Sequence, residues 1–183
     1  MTDLMSVVLD EISGVCGKVD RDQVRRFAER LDAAERVMVA GEGRSGFMAK
    51  AFAMRLMHLG LPVHVVGETT TPAVAGQDCV VAVSGSGTTQ ATVRVAEQGR
   101  ALGAEVLAVT TDASSPLAGT ADLVLLVPAA TKHRRADEPE TVQPLSSLFD
   151  QATHVTLDVV CLHVAHRRGV DNEAARRLHS NTE

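Results

Sequence analysis

Two short segments carry residue types that hold anions. Gly41-Glu42-Gly43-Arg44-Ser45-Gly46 follows an apolar run and leads into a helical pattern, and Ser84-Gly85-Ser86-Gly87-Thr88-Thr89 does the same further on. Glycine lets backbone approach a phosphate closely, and a helix N-terminus adds free N–H groups and a favourable dipole. One Ser or Thr would be enough to cap a helix; four hydroxyls in the six residues of the second segment exceed that need. Ser84, Gly85, Ser86, Gly87, Thr88 and Thr89 are therefore expected to cradle phosphate, with Arg44 and Ser45 adding donors from the first segment. That first segment also reads as G-x-G-x-x-G, and Glu68 stands where a dinucleotide fold places its ribose-binding acid. A nucleotide is thus one reading of it, and a tight strand-to-helix turn is another.

The elements that must position these segments are legible. Five apolar runs, Arg36–Ala40, Pro62–Val66, Cys79–Val83, Glu105–Thr110 and Asp122–Val127, are nearly continuous rather than alternating, as strands buried on both faces are. Helical patterns separate the first from the second and the third from the fourth. This predicts an α/β fold: a doubly wound, five-stranded parallel sheet flanked by helices. In a 2-1-3-4-5 strand order the two loops flank the switch-point crevice where ligands bind. A 3-2-1-4 order would also bring them together.

Two helices are expected before the sheet, within residues 1–33. One has Leu4, Val8, Ile12 and Val15 on one face, the other Val24, Phe27, Ala28 and Leu31. The stretch 131–141, with Lys132, Arg134, Arg135, Asp137, Glu138 and Glu140, reads as a solvated loop, a binding patch being the alternative. A long helix is expected from about Ser146 to Arg168, and 172–183 reads as a polar tail, frayed unless something pins it. The helix Gly46–Leu59 is apolar almost all round, so it needs a second burial surface beyond the sheet. A partner subunit is its natural supplier, and a homo-oligomer is expected on this ground alone.

Composition narrows the functional classes. The chain has 183 residues, enough for one domain. Its net charge of −5 offers no basic surface for nucleic acid, and four Phe with no Tyr or Trp argue against base stacking. Cys16, Cys79 and Cys161 are odd in number and form no C-x-x-C pair, which fits a reducing cytoplasm. No apolar run is long enough for a membrane span, and residues 1–20 lack the layout of a signal peptide. The seven histidines show no metal-binding spacing, so no metal is expected. His154 and His163 read as core or interface residues.

Gly43-Arg44-Ser45-Gly46 together with Ser84–Thr89 resembles the sugar isomerase (SIS) domain family. Ala53-Met54-Arg55-Leu56-Met57-His58-Leu59-Gly60 and Gly67-Glu68-Thr69-Thr70-Thr71-Pro72 resemble, more narrowly, the 6-phospho-3-hexuloisomerases. Gln143-Pro144, Ser147-Leu148-Phe149-Asp150-Gln151 and His179-Ser180-Asn181 extend that resemblance over nearly the whole chain. It implies a single SIS domain that interconverts D-arabino-hex-3-ulose 6-phosphate and D-fructose 6-phosphate, a step of formaldehyde fixation by the ribulose monophosphate route or its reverse. It implies no cofactor and a tetramer.

The resemblance also assigns roles. Asp150 occupies the position of the family's base, where the family has Glu and this chain has a side chain one methylene shorter. A helix-start capping box, Ser147-x-x-Asp150, is the alternative reading of that residue. Glu68, at the mouth of the same crevice, is the reserve base and a substrate contact. His58 would assist ring opening or proton movement, its structural alternative being a helix-terminal His that suits the dipole. His179 would contact the site from the tail. A non-catalytic sugar-phosphate sensor, a nucleotide enzyme and an aldose–ketose isomerase of another phosphosugar are the competing readings. The chain shows no fused output domain for the first, and no room for a substrate domain beside a dinucleotide unit for the second.

Overall fold

The computed structural model describes residues 3–182. Five strands, β1 (Val37–Gly41), β2 (Val63–Val65), β3 (Cys79–Val83), β4 (Glu105–Thr110) and β5 (Leu123–Leu126), form one parallel sheet in the order β2-β1-β3-β4-β5. This settles the strand order between the two expected. β1 pairs with β3 from Val37↔Cys79 to Gly41↔Val83, so the carboxyl ends of the two strands finish side by side.

Strand residues alternate between two apolar layers. Val37, Val39, Val81, Leu107 and Leu125 face α1 (Leu4–Lys18), α2 (Arg21–Ala33), α3 (Gly43–His58) and α6 (Ser147–Arg168). Met38, Val80, Ala82, Val106 and Ala108 face α4 (Gln90–Ala101) and the short α5 (Pro116–Thr120). The smaller residues lie on the second face, where Gly99 of α4 brings its backbone against Val80. A sheet buried on both sides has no polar face to show, which is why its strands read as unbroken apolar runs.

α2 buries Val24, Phe27, Ala28 and Leu31 as expected. α1 is looser: Val15 is buried, while Leu4, Met5 and Leu9 are exposed. Two expectations need correction. The end of the chain is not simply a frayed polar tail, because Asn172–Arg177 forms α7, capped by Asp171, whose carboxylate accepts the Ala174 N–H at 2.8 Å. The stretch 131–141 is a loop whose Lys132, His133, Arg134, Ala136, Asp137 and Glu140 are exposed, but it is not solvated throughout. Thr131 is fully buried, and its N–H and hydroxyl both donate to the Glu138 carboxylate, at 2.8 and 2.6 Å. Glu11 of α1 accepts from the Thr141 hydroxyl, the Val142 N–H and the Gln143 side-chain amide. Sequence polarity signalled water here, but the polar groups satisfy one another.

The turn from β1 into α3 has no space to spare. A Cβ on Gly46 would lie 2.6 Å from the Gly41 carbonyl oxygen, and one on Gly41 would lie 3.1 Å from the Val83 carbonyl oxygen. Glycine at both positions lets α3 begin directly against the ends of β1 and β3. Gly46→Ala is expected to destabilise the protein by about 1–3 kcal/mol, as overpacking does. Gly14→Ala is the internal contrast: it lies in the exposed part of α1 with nothing within 4 Å of an added Cβ. That change is expected to stabilise by about 0.5–1 kcal/mol. Denaturant unfolding of the two variants checks both signs.

Candidate active site

A cleft of about 260 Å³ opens where β1 and β3 end. The N-termini of three helices form its walls: Glu42, Arg44 and Ser45 at the start of α3, Thr89 at the start of α4, and Ser146 and Asp150 at the start of α6. Ser84, Gly85 and Ser86 make the floor between them.

These three helices share a property that sets them apart. None has a side chain hydrogen-bonded to its first-turn amides. The four helices that do not reach the cleft, α1, α2, α5 and α7, are each capped by a side chain, from Asp3, Asp20, Ser115 and Asp171. An uncapped N-terminus keeps unpaired N–H groups and the positive end of its dipole available to an anion. Thr89 occupies the capping position of α4, yet its hydroxyl meets the Ser84 hydroxyl at 2.9 Å instead. Ser86 accepts from the Thr88 hydroxyl and N–H, at 2.9 and 3.3 Å, which leaves its own proton to donate.

The carbonyl of Gly85 is held away from the cleft. It accepts from the Thr111 N–H at 3.1 Å and from the hydroxyls of Thr110 and Thr111 at 3.2 and 2.8 Å. Gly87 turns the loop with a φ of 64°, and a Cβ there would meet the Ser115 hydroxyl. Its contribution is to the turn, and it does not line the cleft.

Asp150 is the buried acid of the site, 2 % exposed. Its carboxylate accepts from the Ser45 hydroxyl at 3.0 Å and from Arg44 Nε at 3.1 Å. Burial raises its pKa above the usual carboxylate value, against the lowering effects of the Ser45 hydrogen bond and of Arg44. The capping-box alternative does not form: Ser146, not Ser147, takes the cap position, and its hydroxyl accepts the Lys132 N–H at 3.1 Å.

The structure thus brings together Arg44, Ser45, Ser84, Gly85, Ser86, Thr89 and Asp150. Ser45, expected as a direct phosphate donor, gives its proton to Asp150 instead. Thr88 faces a neighbouring surface pocket with Arg94 and Glu97. Glu68 is not at the mouth of this crevice. β2 lies on the far side of β1 from β3, and Glu68 is exposed there in a 3.2 Å ion pair with Lys50. His58 lies thirteen residues beyond Ser45 on α3, so about 20 Å separates their backbones at ~1.5 Å per residue. It is buried in a separate pocket, stacked on His179 with ring centroids 5.1 Å apart. Burial chiefly lowers its pKa, assisted by His179 and Arg55. His179 therefore touches His58 and not the phosphate loops.

Sequence reasoning missed Lys132, Leu145 and Ser146, which the segment before α6 delivers to the cleft. The spacing of Ser146 to Asp150, one helical turn, was the available signal for the last of these. Among the described residues no group of three or more His, Cys, Asp or Glu side chains is placed to hold a metal, and no helix is long and apolar enough to cross a membrane.

Arg44 and Ser45 both hold the Asp150 pKa down, so removing either should lift it further. Titration of the Asp150 carboxyl by carbon NMR is expected to show an upward shift in Arg44→Gln and in Ser45→Ala. A downward shift in either would contradict this assignment of partners.

Comparison with known proteins places the chain. The SIS domain family model matches residues 30–159. A protein of Mycobacterium gastri named 3-hexulose-6-phosphate isomerase is 42% identical over 183 residues, covering 100% of this chain and 92% of its own length. A Bacillus subtilis protein of the same name is 34% identical, covering 100% and 98%. The crystal structure of a Methanococcus jannaschii protein, described as inferring a molecular function of 3-hexulose-6-phosphate isomerase, superposes with a TM-score of 0.86 at 25% identity, and both chains are covered completely. With the family match spanning the sheet, both glycine-rich loops and the buried acid, this chain belongs to the SIS domain family and, within it, to the 3-hexulose-6-phosphate isomerases.

Proposed function

We propose that this chain interconverts D-arabino-hex-3-ulose 6-phosphate and D-fructose 6-phosphate through a cis-enediol, with Asp150 as the proton-transferring base. One observation carries the mechanism: a buried carboxyl of raised pKa faces a cleft made of three uncapped helix N-termini. The N-termini and the Ser84–Thr89 hydroxyls anchor the phosphate. The sugar carbons then lie toward Asp150, in register for proton transfer.

The step balances within one molecule. The Asp150 carboxylate takes the proton from C2, the released electron pair forms the C2=C3 bond, and O3 gains a proton to give the enediol. Collapse returns the proton to C3 while O2 gives up its hydrogen, leaving the carbonyl at C2. One carbon is oxidised as its neighbour is reduced, so the reaction calls for neither an external oxidant nor a cofactor. The free thiols Cys16, Cys79 and Cys161 suit a reducing cytoplasm, where such phosphosugars turn over.

His58 serves the site of a neighbouring subunit in this reading. The α3 helix that carries it exposes Phe47 and Met54, and the adjacent α6 exposes Val155 and Leu162, with Phe47 and Leu162 each 66% exposed. Such an apolar face is covered by a second copy of the chain, and a tetramer provides several such contacts. The same assembly carries His58 from one end of α3 toward another subunit's phosphate loops.

Purified protein incubated with enzymatically generated hexulose 6-phosphate is expected to form fructose 6-phosphate without added cofactor or metal. Asp150→Asn should lower kcat by about 10²–10⁴ and leave substrate binding largely intact. Asp150→Glu should keep or improve activity. Ser86→Ala should raise KM roughly tenfold or more, the loss of a charge-assisted hydrogen bond. No product with the wild-type chain would overturn the reading.

For His58, the measurement is complementation. Inactive His58→Ala and inactive Ser86→Ala chains, mixed under conditions that exchange subunits, should recover part of the activity. No recovery in verified mixed oligomers would confine His58 to its own subunit.

A further inference from the structure

We propose that Lys132 is a ligand of the substrate's phosphate group, delivered into the cleft by the segment between β5 and α6; this rests on the phosphosugar reading above.

The charge balance of the cleft calls for such a residue. Its charged lining residues are Glu42, Arg44, Lys132 and Asp150. Arg44 has its charge offset by Asp150, which its Nε meets at 3.1 Å. A phosphate monoester carries close to two negative charges at neutral pH, and Glu42 adds to the negative field it enters. Hydroxyls and helix dipoles offer only partial charges, roughly half an elementary charge per helix. Lys132 is the lining cation that, among the described residues, has no carboxylate within 4.0 Å.

The segment carrying Lys132 is built to hold it in place. Arg134 donates to the carbonyls of Thr131, Gln143 and Leu145, tying the two ends of the segment together. Lys132 is itself pinned by its backbone N–H, which donates to the Ser146 hydroxyl at the start of α6. Arg134 and Leu145 have φ of 48° and 54°, the non-glycine residues with positive φ among those described, and Leu145 lines the cleft. Left-handed backbone at a branched residue persists only where the surroundings impose it, and it gathers at ligand-binding positions.

A second tie runs to the phosphate loop. Arg135 donates to the Thr111 hydroxyl at 2.8 Å, and that hydroxyl donates to the Gly85 carbonyl at 2.8 Å. Arg135 is paired in turn with the buried Glu138 at 3.2 Å. The segment and the Ser84–Thr89 loop are therefore one hydrogen-bonded unit, and the Lys132 backbone has a fixed place beside the loop. Its long exposed side chain provides the reach.

The test is calorimetric titration of the full chain with inorganic phosphate and with fructose 6-phosphate, alongside steady-state kinetics. Lys132→Gln is expected to weaken both ligands by about tenfold or more and to raise KM, while kcat stays within threefold. Lys132→Arg should restore most of the affinity. Lys50→Gln, outside the cleft, should change neither. Phosphate and fructose 6-phosphate affinities within twofold of wild type in Lys132→Gln would overturn the proposal. A fall in kcat at constant KM would overturn it too, by moving Lys132 from the phosphate to the reacting carbons. Ligand binding is read independently of turnover. Phosphate binding that depends on Lys132 in a chain that does not isomerise hexulose 6-phosphate would sink the isomerase reading and leave this one standing.

Discussion

The hydrogen bonds from Ser45 and Arg44 to the Asp150 carboxylate hold the site together. A carboxylate cannot be buried without donors, so the start of α6 must lie where α3 can supply them. α3 in turn must begin hard against the end of β1, which is what glycine at positions 41 and 46 permits. One carboxyl group therefore fixes the relation between two helix starts about a hundred residues apart in the chain. Because the fixing group is also the proposed base, packing and catalysis draw on the same contact. A weaker clamp would move the acid away from the phosphate as well as change its acidity.

Capping shows where this clamp leaves free energy unused. Among the described residues, each helix start either satisfies its own amides through a side chain or points into the cleft. Leaving three N-termini without side-chain caps costs stability, at about 1 kcal/mol for a typical cap. Thr89 could cap α4 and bonds to Ser84 instead. An anion bridging the α4 amides and the loop hydroxyls would offset that cost on binding, so the ligand supplies interactions that the folded chain does not make for itself.

Much of this could be read from the residues alone. The sheet was legible because burial on both faces leaves an unmistakable apolar run, as in Cys79–Val83. The phosphate loop was legible because its hydroxyls outnumber any capping need. Asp150 was identified through resemblance, and its environment explains why local reading could not do so. Its partners lie about a hundred residues away, and nothing near Phe149 announces them. Glu68 was misplaced for a related reason, since position after a strand says nothing about which side of the switch point that strand occupies. The 131–146 segment failed differently. Lys132, Arg134, Arg135 and Glu138 look like residues for water, and only the fold reveals that Arg134 spends its donors on three carbonyls and Glu138 on Thr131. Polar composition distinguishes loops from cores; it does not distinguish solvated loops from self-satisfied ones.

The two ends of α3 frame the remaining question. One end presents Ser45 to Asp150, and the other buries His58 against His179. A rigid helix cannot bring both to one hexose phosphate, because its length exceeds that of the ligand. Yet the outward face between them carries exposed apolar residues, Phe47, Met54 and Met57, around Lys50, and it lies beside Val159 and Leu162 of α6. An exposed apolar helix face and a buried imidazole far from the phosphate loops are unrelated defects in an isolated subunit. In the proposed assembly they become one arrangement, since the contact that covers the face also carries the imidazole to another subunit. The apolar residues that α3 leaves on its solvent side, set among Lys50 and Arg55, are what the proposed assembly would cover.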